Sequence, residues 1–411
     1  YGGFKLKGPY GGSATDDVYH AVARLVPDAE VPEPRGVSFD TFDIREEYYR
    51  GVASLVDLDA IGKVHPVIVH DAMGGAGSGW LTGLADATGA FTVEEVRGRP
   101  DPLFHGVNPE PIPANLATTM ALMRGVEAAG APARAGGTSV EDPLFATVTD
   151  GDADRIGVVL PGGAYFNSHQ IFAVLLDHLS KRRAGSVVKT FTVSRVVERL
   201  ARARGLEVVE TPVGFKHIVD AMLASATGAA SVLIGGEESG GIGVAGHIPE
   251  RDAIANTLLL LEAVVTGGRT LAQRFADIEA ETGWRHAYDR LDLHLSDDGT
   301  KERVMVRLAG RAMGTIADWR VTSVEDRDGV KLNLAREGVA PSSGLPPGEP
   351  PASEPPASEP PASEASAREP SAWLLFRASG TEPVLRLYCE APTVADVTAL
   401  LRAAERFVAT S

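Results

Sequence analysis

Three aspartates alternate with small residues in one short loop of the sequence, TDGDADR at residues 149–155. Apolar runs on both sides of this loop have the composition of short buried strands, so the loop is predicted to be a tight connection between them. Like charges at this spacing repel one another unless they are neutralised, and a divalent cation bound through oxygen atoms neutralises them. Because no Cys or His lies nearby, Asp150, Asp152 and Asp154 are predicted to bind Mg²⁺ or a similar ion rather than zinc.

Two other interpretations of this loop compete with a metal site. Clusters of Asp and Gly are common in ordinary turns, but the third Asp at the same spacing, the adjoining Arg155 and the flanking strands favour a metal site. A calcium-binding EF-hand loop requires Gly where Arg155 stands and Glu where Pro161 stands, so that interpretation fails.

A second candidate site is the segment GGEESGG at residues 235–241, which follows a β-branched apolar run. Its position places Glu237 and Ser239 at the carboxyl end of a predicted strand, where open α/β sheets bind ligands. A carboxylate and a hydroxyl framed by glycines suit the recognition of sugar hydroxyls. An ordinary glycine turn fits the same residues, and both interpretations stay open.

A third candidate is the segment RASGTEP at residues 377–383, between two predicted strands. Arginine offers a planar fork of donors, hydroxyls add further donors, and a glycine lets backbone N–H groups turn inward, which together form an anion site of phosphate size. A plain hairpin turn is the competing interpretation. The residues of the candidate phosphate site are Arg377, Ser379, Gly380 and Thr381, with Arg386 as a second positive charge.

Lys216 ends the segment TPVGFK at residues 211–216, directly before a predicted helix. A lysine at a helix N-terminus meets an unfavourable dipole, so its ammonium is either solvated or directed at an anionic ligand that binds there. His247, in GHIPERD, is predicted to be a structural turn residue rather than a catalyst.

The elements that position these loops alternate between strand and helix over most of the chain, which is typical of α/β layered domains. After about Trp284 the pattern changes to alternating strands with few helices, which indicates a smaller α+β domain. The predicted divisions are 1–42 (the remnant of a first α/β domain), 43–161 (with the metal loop), 162–283 (with the sugar loop) and 284–411 (with the phosphate loop).

Residues 341–370 interrupt the last domain with Pro-rich sequence in which EPPAS recurs three times. This composition buries too little apolar surface to order itself, so an extended surface insertion between two strands is expected.

The amino-acid composition limits the classes of protein to which the chain can belong. The 411 residues, 44% hydrophobic and 23% charged, predict a soluble globular protein of two to four domains, with no apolar run long enough for a membrane helix. A net charge of −16 argues against a nucleic-acid partner, and the single cysteine, Cys389, indicates a reducing, cytoplasmic compartment without disulfides.

Together, TDGDADR, GGEESGG and RASGTEP in this order resemble the α-D-phosphohexomutase family of phosphoglucomutases and phosphomannomutases. TPVGFK and GHIPERD are secondary matches. The resemblance covers nearly the whole chain outside the Pro-rich insertion. It implies three related α/β layered domains, the first incomplete here, and a C-terminal α+β domain around a central cleft.

The resemblance also assigns roles. The three aspartates would hold Mg²⁺, Glu237 and Ser239 would bind sugar hydroxyls, and the loop at Arg377 would grip the non-reacting phosphate of a hexose phosphate or bisphosphate. Lys216 and Arg155 would line the same cleft, Arg155 in the catalytic centre. The implied reaction moves a phosphoryl group between O1 and O6 of a hexose through a phosphoserine, and the absence of a histidine at Gly241 leans towards glucose over mannose.

One departure concerns the nucleophile. In the family the phosphorylated serine lies in a Ser-His-Asn-Pro loop followed by Tyr-x-Gly-Phe-Lys, and this sequence begins with YGGFK. The chain is therefore interpreted as N-terminally truncated and is expected to be inactive as given. Lys5 matches the family lysine that acts as general acid and base.

The missing serine keeps a second hypothesis open, a sugar-phosphate-binding protein without mutase activity. A third, a metal-dependent phosphatase, requires a carboxylate nucleophile but not the loop at Arg377. The sequence leaves the oligomeric state open.

Overall fold

The computed structural model describes residues 5–26, 36, 38, 40–126, 143–225, 231–295, 298–309, 314–336, 370–379 and 383–410. Two compact units divide the chain, with residues 1–193 and 200–277 in unit 1 and residues 194–199 and 278–411 in unit 2. Gly380, Thr381 and the predicted insertion as far as residue 369 lie outside the described residues.

The first sheet of unit 1 contains the strands before and after the metal loop. Its strand order is β2-β1-β3-β4-β5, in which β1 pairs in parallel with β2 and β3, and β4 pairs antiparallel with β3 and β5. The strands are β1 (Val67–Asp71), β2 (Thr92–Val96), β3 (Ala146–Thr149), β4 (Ile156–Val159) and β5 (Tyr165–Phe166). The helices that precede or connect them are α1 (Asp16–Ala23), α2 (Arg45–Ala53), α3 (Leu58–Val64), α4 (Trp80–Thr88) and α5 (Ala117–Arg124).

The second sheet of unit 1 repeats the same plan with the order β7-β6-β8-β9, again with two parallel pairs and an antiparallel last strand. Its strands are β6 (Ser186–Thr190), β7 (Val208–Thr211), β8 (Val232–Gly236) and β9 (Ile242–Val244). The helices around it are α6 (Ser168–Ser180), α7 (Arg195–Ala203), α8 (Phe215–Ser225), α9 (Ala253–Gly267) and α10 (Leu271–Thr282).

Local sequence explains where the central helices begin. Asn167 and Gln170 form a reciprocal capping box at the start of α6, and Asp252 accepts a hydrogen bond from the N–H of Ala255 at the start of α9. Helix α9 is buried from Ala253 to Val265 because it is apolar on all sides, and it packs against both α3 and α6.

Unit 2 contains a six-stranded antiparallel sheet in the order β10-β15-β14-β13-β12-β11. One face of this sheet packs on α11 and α12 around a core that includes Trp319, Phe376 and Leu400. The strands are β10 (Ala287–His294), β11 (Thr315–Ile316), β12 (Trp319–Glu325), β13 (Val330–Ala335), β14 (Ala372–Ala378) and β15 (Val384–Ala391), and the helices are α11 (Asp298–Ala309) and α12 (Val394–Ala409).

A fully buried carboxylate, Glu390, ties several parts of unit 2 together. It accepts hydrogen bonds from Trp284 Nε1 at 2.9 Å and from the backbone N–H of Arg195 at 3.1 Å, and one of its oxygens lies 2.6 Å from His286 Nδ1. Such a buried charge is tolerated because its lone pairs are satisfied.

The predicted fold class is confirmed: layered α/β sheets are followed by a C-terminal α+β fold. The alternating apolar pattern of residues 316–324 predicts one strand, and this prediction is wrong, since a turn with Ala317 at φ 50° separates β11 from β12. Helix α3 and strands β2, β5 and β9 were not predicted. Among the helices within the described residues, none is long and apolar enough to cross a bilayer.

Candidate functional site

The metal loop closes the hairpin between β3 and β4, whose last pair is Thr149 with Ile156. Asp150 is completely buried there, and its carboxylate accepts hydrogen bonds from the backbone N–H groups of Asp154 at 2.9 Å and Arg155 at 3.0 Å. Arg155 also donates from Nε to Asp150 at 2.6 Å. Asp150 therefore determines the shape of the loop in addition to carrying an oxygen for a metal.

Asp150, Asp152 and Asp154 each offer a carboxylate oxygen, and these atoms lie within 4.8 Å of one another. The donor set is all oxygen, which suits a hard divalent cation. Burial, followed by the charge of Asp154, raises the pKa of Asp150 to about 6. The raised pKa reflects the cost of burying a carboxylate, with a smaller contribution from its charged neighbours, and a bound cation would offset this cost. The three side chains thus fit the predicted metal.

Two neighbouring segments hold the metal loop by its backbone. The carbonyl of Gly151 accepts a hydrogen bond from Ala76 N at 2.9 Å, and Gly151 N donates to the carbonyl of Pro109 at 3.2 Å. A Cβ atom at Gly75 would lie 2.7 Å from the carbonyl oxygen of Gly151. Only glycine at position 75 permits this close approach of the two loops.

Positively charged side chains surround the three aspartates. Lys5 Nζ donates to Asp152 and, at 3.3 Å, to Asp154. Burial lowers the pKa of Lys5, but the hydrogen bond to Asp152 and the charges of both carboxylates leave it raised overall. Arg155 is directed at Asp150 and also lies 3.6 Å from Glu110, so its guanidinium contacts the inner side of the loop.

Arg251, which no motif of the sequence indicated, bridges the metal loop and the sugar loop. Its Nη2 lies 2.6 Å from Asp154, its Nη1 lies 3.4 Å from Glu237, and its guanidinium carbon is 5.1 Å from the centre of the Phe215 ring. The only signal in the sequence was a charged residue in GHIPERD. Its contacts are far apart in the chain, so residue spacing does not reveal them.

The sugar loop follows β8 as predicted and presents two glutamates in different environments. Glu237 is 7% exposed, and burial together with the charge of Glu238 raises its pKa to about 7. The carboxylate of Glu238 accepts hydrogen bonds from the hydroxyl of Thr192 and, at 3.3 Å, from the hydroxyl of Thr190. Ser239 is half-buried. Glu238 therefore holds the loop, while Glu237 faces Arg251.

Lys216 lies in the first turn of α8 and is about half exposed. Its Nζ is 2.9 Å from Asp16 in α1, and this contact lowers the pKa of Asp16. The structure therefore places Lys216 in an ion pair with the N-terminal segment.

The N-terminal segment is fixed beside the metal loop by contacts with the residues before α9. Lys7 Nζ donates to buried Glu250, and Ser13 Oγ donates to the same carboxylate at 2.8 Å. A Cβ atom at Gly12 would lie 2.3 Å from the carbonyl oxygen of Pro249. These contacts position the N-terminal segment so that the ammonium of Lys5 reaches the carboxylate of Asp152.

A cleft of about 370 Å³ opens beside Asp152 and Asp154. Tyr48 and Trp80 form an aromatic wall, with ring centres 5.3 Å apart in an edge-to-face arrangement. Tyr48 Oη also donates to Asp252 at 2.9 Å. The remaining lining residues are Lys5, Lys7, Ala76, Gly77, Ala153, Glu250, Arg251 and Ile254.

The predicted phosphate loop lies in unit 2, between β14 and β15. Arg377 and Arg386 are direct partners in the register of these antiparallel strands. Arg377 Nε lies 3.1 Å from Asp328, and Arg386 Nε lies 3.8 Å from Asp292. Ser379 is 8% exposed, and its N–H donates to the carbonyl of Val384 at 2.9 Å.

Three carboxylates with arginine and lysine on their rim, at the end of layered α/β sheets, form the kind of site that can bind a divalent cation and an anionic ligand. The comparisons with known proteins identify the family of the chain. The sequence models for phosphoglucomutase/phosphomannomutase match residues 46–163 (α/β/α domain II), 167–282 (α/β/α domain III) and 364–406 (C-terminal domain). The chain belongs to the phosphoglucomutase/phosphomannomutase family.

Solved structures and curated relatives agree with this assignment. A putative phosphomannomutase from Thermus thermophilus is 37% identical with a TM-score of 0.74, covering 97% of this chain and 73% of that one. The phosphoglucomutase/phosphomannomutase of Thermococcus kodakarensis is 25% identical over 85% of this chain, which spans 62% of that relative's length.

The Aspergillus fumigatus N-acetylphosphoglucosamine mutase, solved in complex with GlcNAc-6P and magnesium, shares the fold. It has 17% identity and a TM-score of 0.53, and the match covers 89% of this chain and 69% of that one.

Proposed function

We propose that this chain carries the metal, sugar and phosphate sites of a Mg²⁺-dependent phosphohexomutase that interconverts hexose 1-phosphate and hexose 6-phosphate. The observation that carries the proposal is the cluster of three aspartates with Lys5 and Arg251 on its rim. Phosphoryl transfer needs this combination, because the transferring group spreads negative charge over its oxygens and is stabilised mainly by positioning and by fixed positive charge.

Asp150, Asp152 and Asp154 are the proposed Mg²⁺ ligands. When bound, the ion supplies positive charge to the oxygens of the transferring phosphoryl group. The all-oxygen donor set supports this choice, as does the magnesium bound to the Aspergillus enzyme.

The proposed transfer uses a phosphoserine. A hydroxyl oxygen of the hexose monophosphate forms a bond to phosphorus as the bond from the serine oxygen to that phosphorus breaks, which leaves a hexose bisphosphate. Lys5 carries the proton between the two oxygens. After the bisphosphate turns over, the serine takes the other phosphoryl group, and the isomeric monophosphate leaves.

The remaining residues are proposed to bind the substrate. Glu237 and Ser239 take sugar hydroxyls, and the contact of Glu237 with Arg251, which also reaches the metal loop, supports this assignment. Lys216 and Arg155 face the anionic substrate. The non-reacting phosphate is assigned to Arg377, Ser379, Gly380, Thr381 and Arg386, whose two arginines are adjacent in the sheet.

Glucose is the proposed sugar, with mannose as the alternative. Gly241, where some family members have a histidine, favours glucose. The relatives named a phosphoglucomutase/phosphomannomutase and a putative phosphomannomutase are the reason for keeping mannose as the alternative. These names also favour a mutase over a binding protein without activity.

Calorimetry and a mutase assay test the proposal. With Mg²⁺ present, the chain should bind glucose 1-phosphate more tightly than mannose 1-phosphate, and glucose itself should bind far more weakly than either. Preceded by the Ser-His-Asn-Pro segment, the chain should form glucose 6-phosphate, whereas the same protein with Ala for that serine should not. Failure to bind either hexose phosphate would contradict the proposal.

A further inference from the structure

Three side chains make a line of contacts across the first sheet and end at the metal loop. His70 on β1 is fully buried, and its Nε2 lies 3.3 Å from the hydroxyl oxygen of Thr149, the last residue of β3. Its Nδ1 lies 3.3 Å from a carboxylate oxygen of Glu95 on β2. Strands β2, β1 and β3 are neighbours in the sheet, so the three residues form a histidine bridge across it.

The chemistry of the three groups gives these contacts a direction. An ionised carboxylate only accepts hydrogen bonds, so Nδ1 of His70 carries the proton that faces Glu95. In the neutral ring Nε2 is then the acceptor for the hydroxyl of Thr149. Burial raises the pKa of Glu95, but its contacts with His70 and with the backbone N–H of Gly79 lower the pKa by more, so this carboxylate is charged at neutral pH.

The histidine bridge reaches the metal loop at the point where the loop begins. Thr149 directly precedes Asp150, so the position of one determines the position of the other. Hydrogen bonds from the N–H groups of Asp154 and Arg155 to Asp150 fix the shape of the loop, but they lie within it and do not attach it to the sheet. The hydroxyl of Thr149 supplies such an attachment.

The other end of the histidine bridge holds the glycine loop that packs against the metal loop. Glu95 accepts a hydrogen bond from the N–H of Gly79 at 2.8 Å, directly before α4. A Cβ atom at Gly77 would lie 2.9 Å from the hydroxyl oxygen of Thr149, so this backbone is in close contact with the bridge. The bridge therefore supports both of the loops that meet beside the cleft.

We propose that His70 is a positioning residue for the metal site: it ties the hydroxyl of Thr149 to Glu95 and so holds the strand end from which the three aspartates reach a divalent cation. Groups that support ligands from behind commonly affect metal affinity without touching the metal. The inference rests on the proposed function, which assigns the cation to these aspartates.

Calorimetric titration of the whole chain with Mg²⁺ tests the inference through position 149. T149V has nearly the same shape but lacks the hydroxyl, and it should weaken Mg²⁺ binding about fivefold, because one hydrogen bond that favours the binding-competent loop is lost. T149S keeps the hydroxyl and should stay within about twofold of the natural chain.

T147V is the matched control for T149V. Thr147 is equally buried two positions earlier on the same face of β3, and its hydroxyl has no hydrogen-bond partner among the described residues. T147V should therefore bind Mg²⁺ as the natural chain does. If T149V matches T147V, or if T149S is as weak as T149V, the inference is wrong.

Nuclear magnetic resonance of the imidazole nitrogens supplies a readout that a merely structural role would not move. Adding Mg²⁺ to the natural chain should shift the ¹⁵N signals of the His70 ring, because the metal-bound loop tightens the contact with Thr149. The shift should persist in T147V and shrink in T149V. The natural chain decides alone if T149V does not fold: His70 signals that do not respond to Mg²⁺ would overturn the inference.

The failure of the proposed function would look different. D152N removes one of the three charged ligands at a half-exposed position and should lower Mg²⁺ affinity at least about tenfold. If D152N binds Mg²⁺ as tightly as the natural chain, the cation does not use these aspartates and the proposed function is wrong. If D152N loses binding while T149V binds normally, only the role of His70 is wrong.

Discussion

Replacing Arg251 by Met should strengthen Mg²⁺ binding even though it removes a side chain from the centre of the site. The guanidinium lies 2.6 Å from Asp154, one of the proposed ligands, and so competes for its charge. Met retains an apolar stem that can still pack on Phe215. The substitution therefore removes mainly the charge.

The magnitude follows from Coulomb's law. An ion held by Asp154 would lie about 5 Å from the guanidinium, since the distances from the shared oxygen to each are about 2 and 2.6 Å. The repulsion between charges of two and one at this separation is about 1.7 kcal/mol in water and about 6.6 kcal/mol at an effective dielectric constant of 20. Arg251 and Asp154 border the cleft but are only 19% and 14% exposed, so the repulsion is at least the value in water, and a gain in affinity of at least about tenfold is expected.

Titration with Mg²⁺ by calorimetry at low and at high ionic strength measures this gain, which salt should reduce. Arg50→Met is the matched control, because Arg50 is 68% exposed and pairs only locally with Glu46. A second readout is the pKa of Glu237, which Arg251 lowers by its charge, so it should rise further above about 7 in the variant.

Unchanged or weaker Mg²⁺ binding in Arg251→Met, with the fold intact, would refute this reasoning. It would mean that the guanidinium supports the geometry of Asp154 more than it competes for its charge. Equal gains in Arg251→Met and Arg50→Met would point to net charge alone.

Three other outcomes are expected. Mg²⁺ affinity should fall about tenfold between pH 7.5 and 5, because the pKa of Asp150 is raised to about 6 and its protonated form cannot act as a ligand; titrations across this range check it. Gly75→Ala should lower the free energy of unfolding by about 1–3 kcal/mol and weaken Mg²⁺ binding, because the added Cβ would push on the Gly151 carbonyl. Gly51→Ala, at a helical position with open space around it, should not destabilise the protein, and urea unfolding compares the two variants. Glu390→Ala should destabilise unit 2 by about 3–5 kcal/mol in the same assay, because it leaves its buried donors unpaired.

The features that could be predicted from the sequence are those whose structure is determined within one short segment of the chain. A β-branched run predicts a strand over 186–190, and a long apolar periodicity predicts a helix over 394–409; these are the observed bounds of β6 and α12. The clustering of the three aspartates was predictable for the same reason, since a tight turn between two strands brings neighbours together without help from the rest of the chain.

The elements that were missed have weak local signals. Strand β2 reads TVEEV and is largely polar because it is an edge strand with little burial. Strand β9 has only three residues, one of them Gly243. Helix α3 is seven residues long and depends on packing against α9.

Arg251 was missed because its contacts exist only in the folded chain. It is 97 positions from Asp154 in the sequence. Charged residues at such positions look like solvated surface in the sequence. No spacing rule pairs them with a loop in another element.

The aromatic wall of the cleft has a practical consequence for spectroscopy. Of the four tryptophans, Trp284, Trp319 and Trp373 are enclosed in unit 2, whereas Trp80 is half-exposed beside Asp152. Acrylamide should therefore quench the long-wavelength emission of a single indole. A molecule that enters the cleft would shield that indole, so its arrival could be followed in real time without an attached dye.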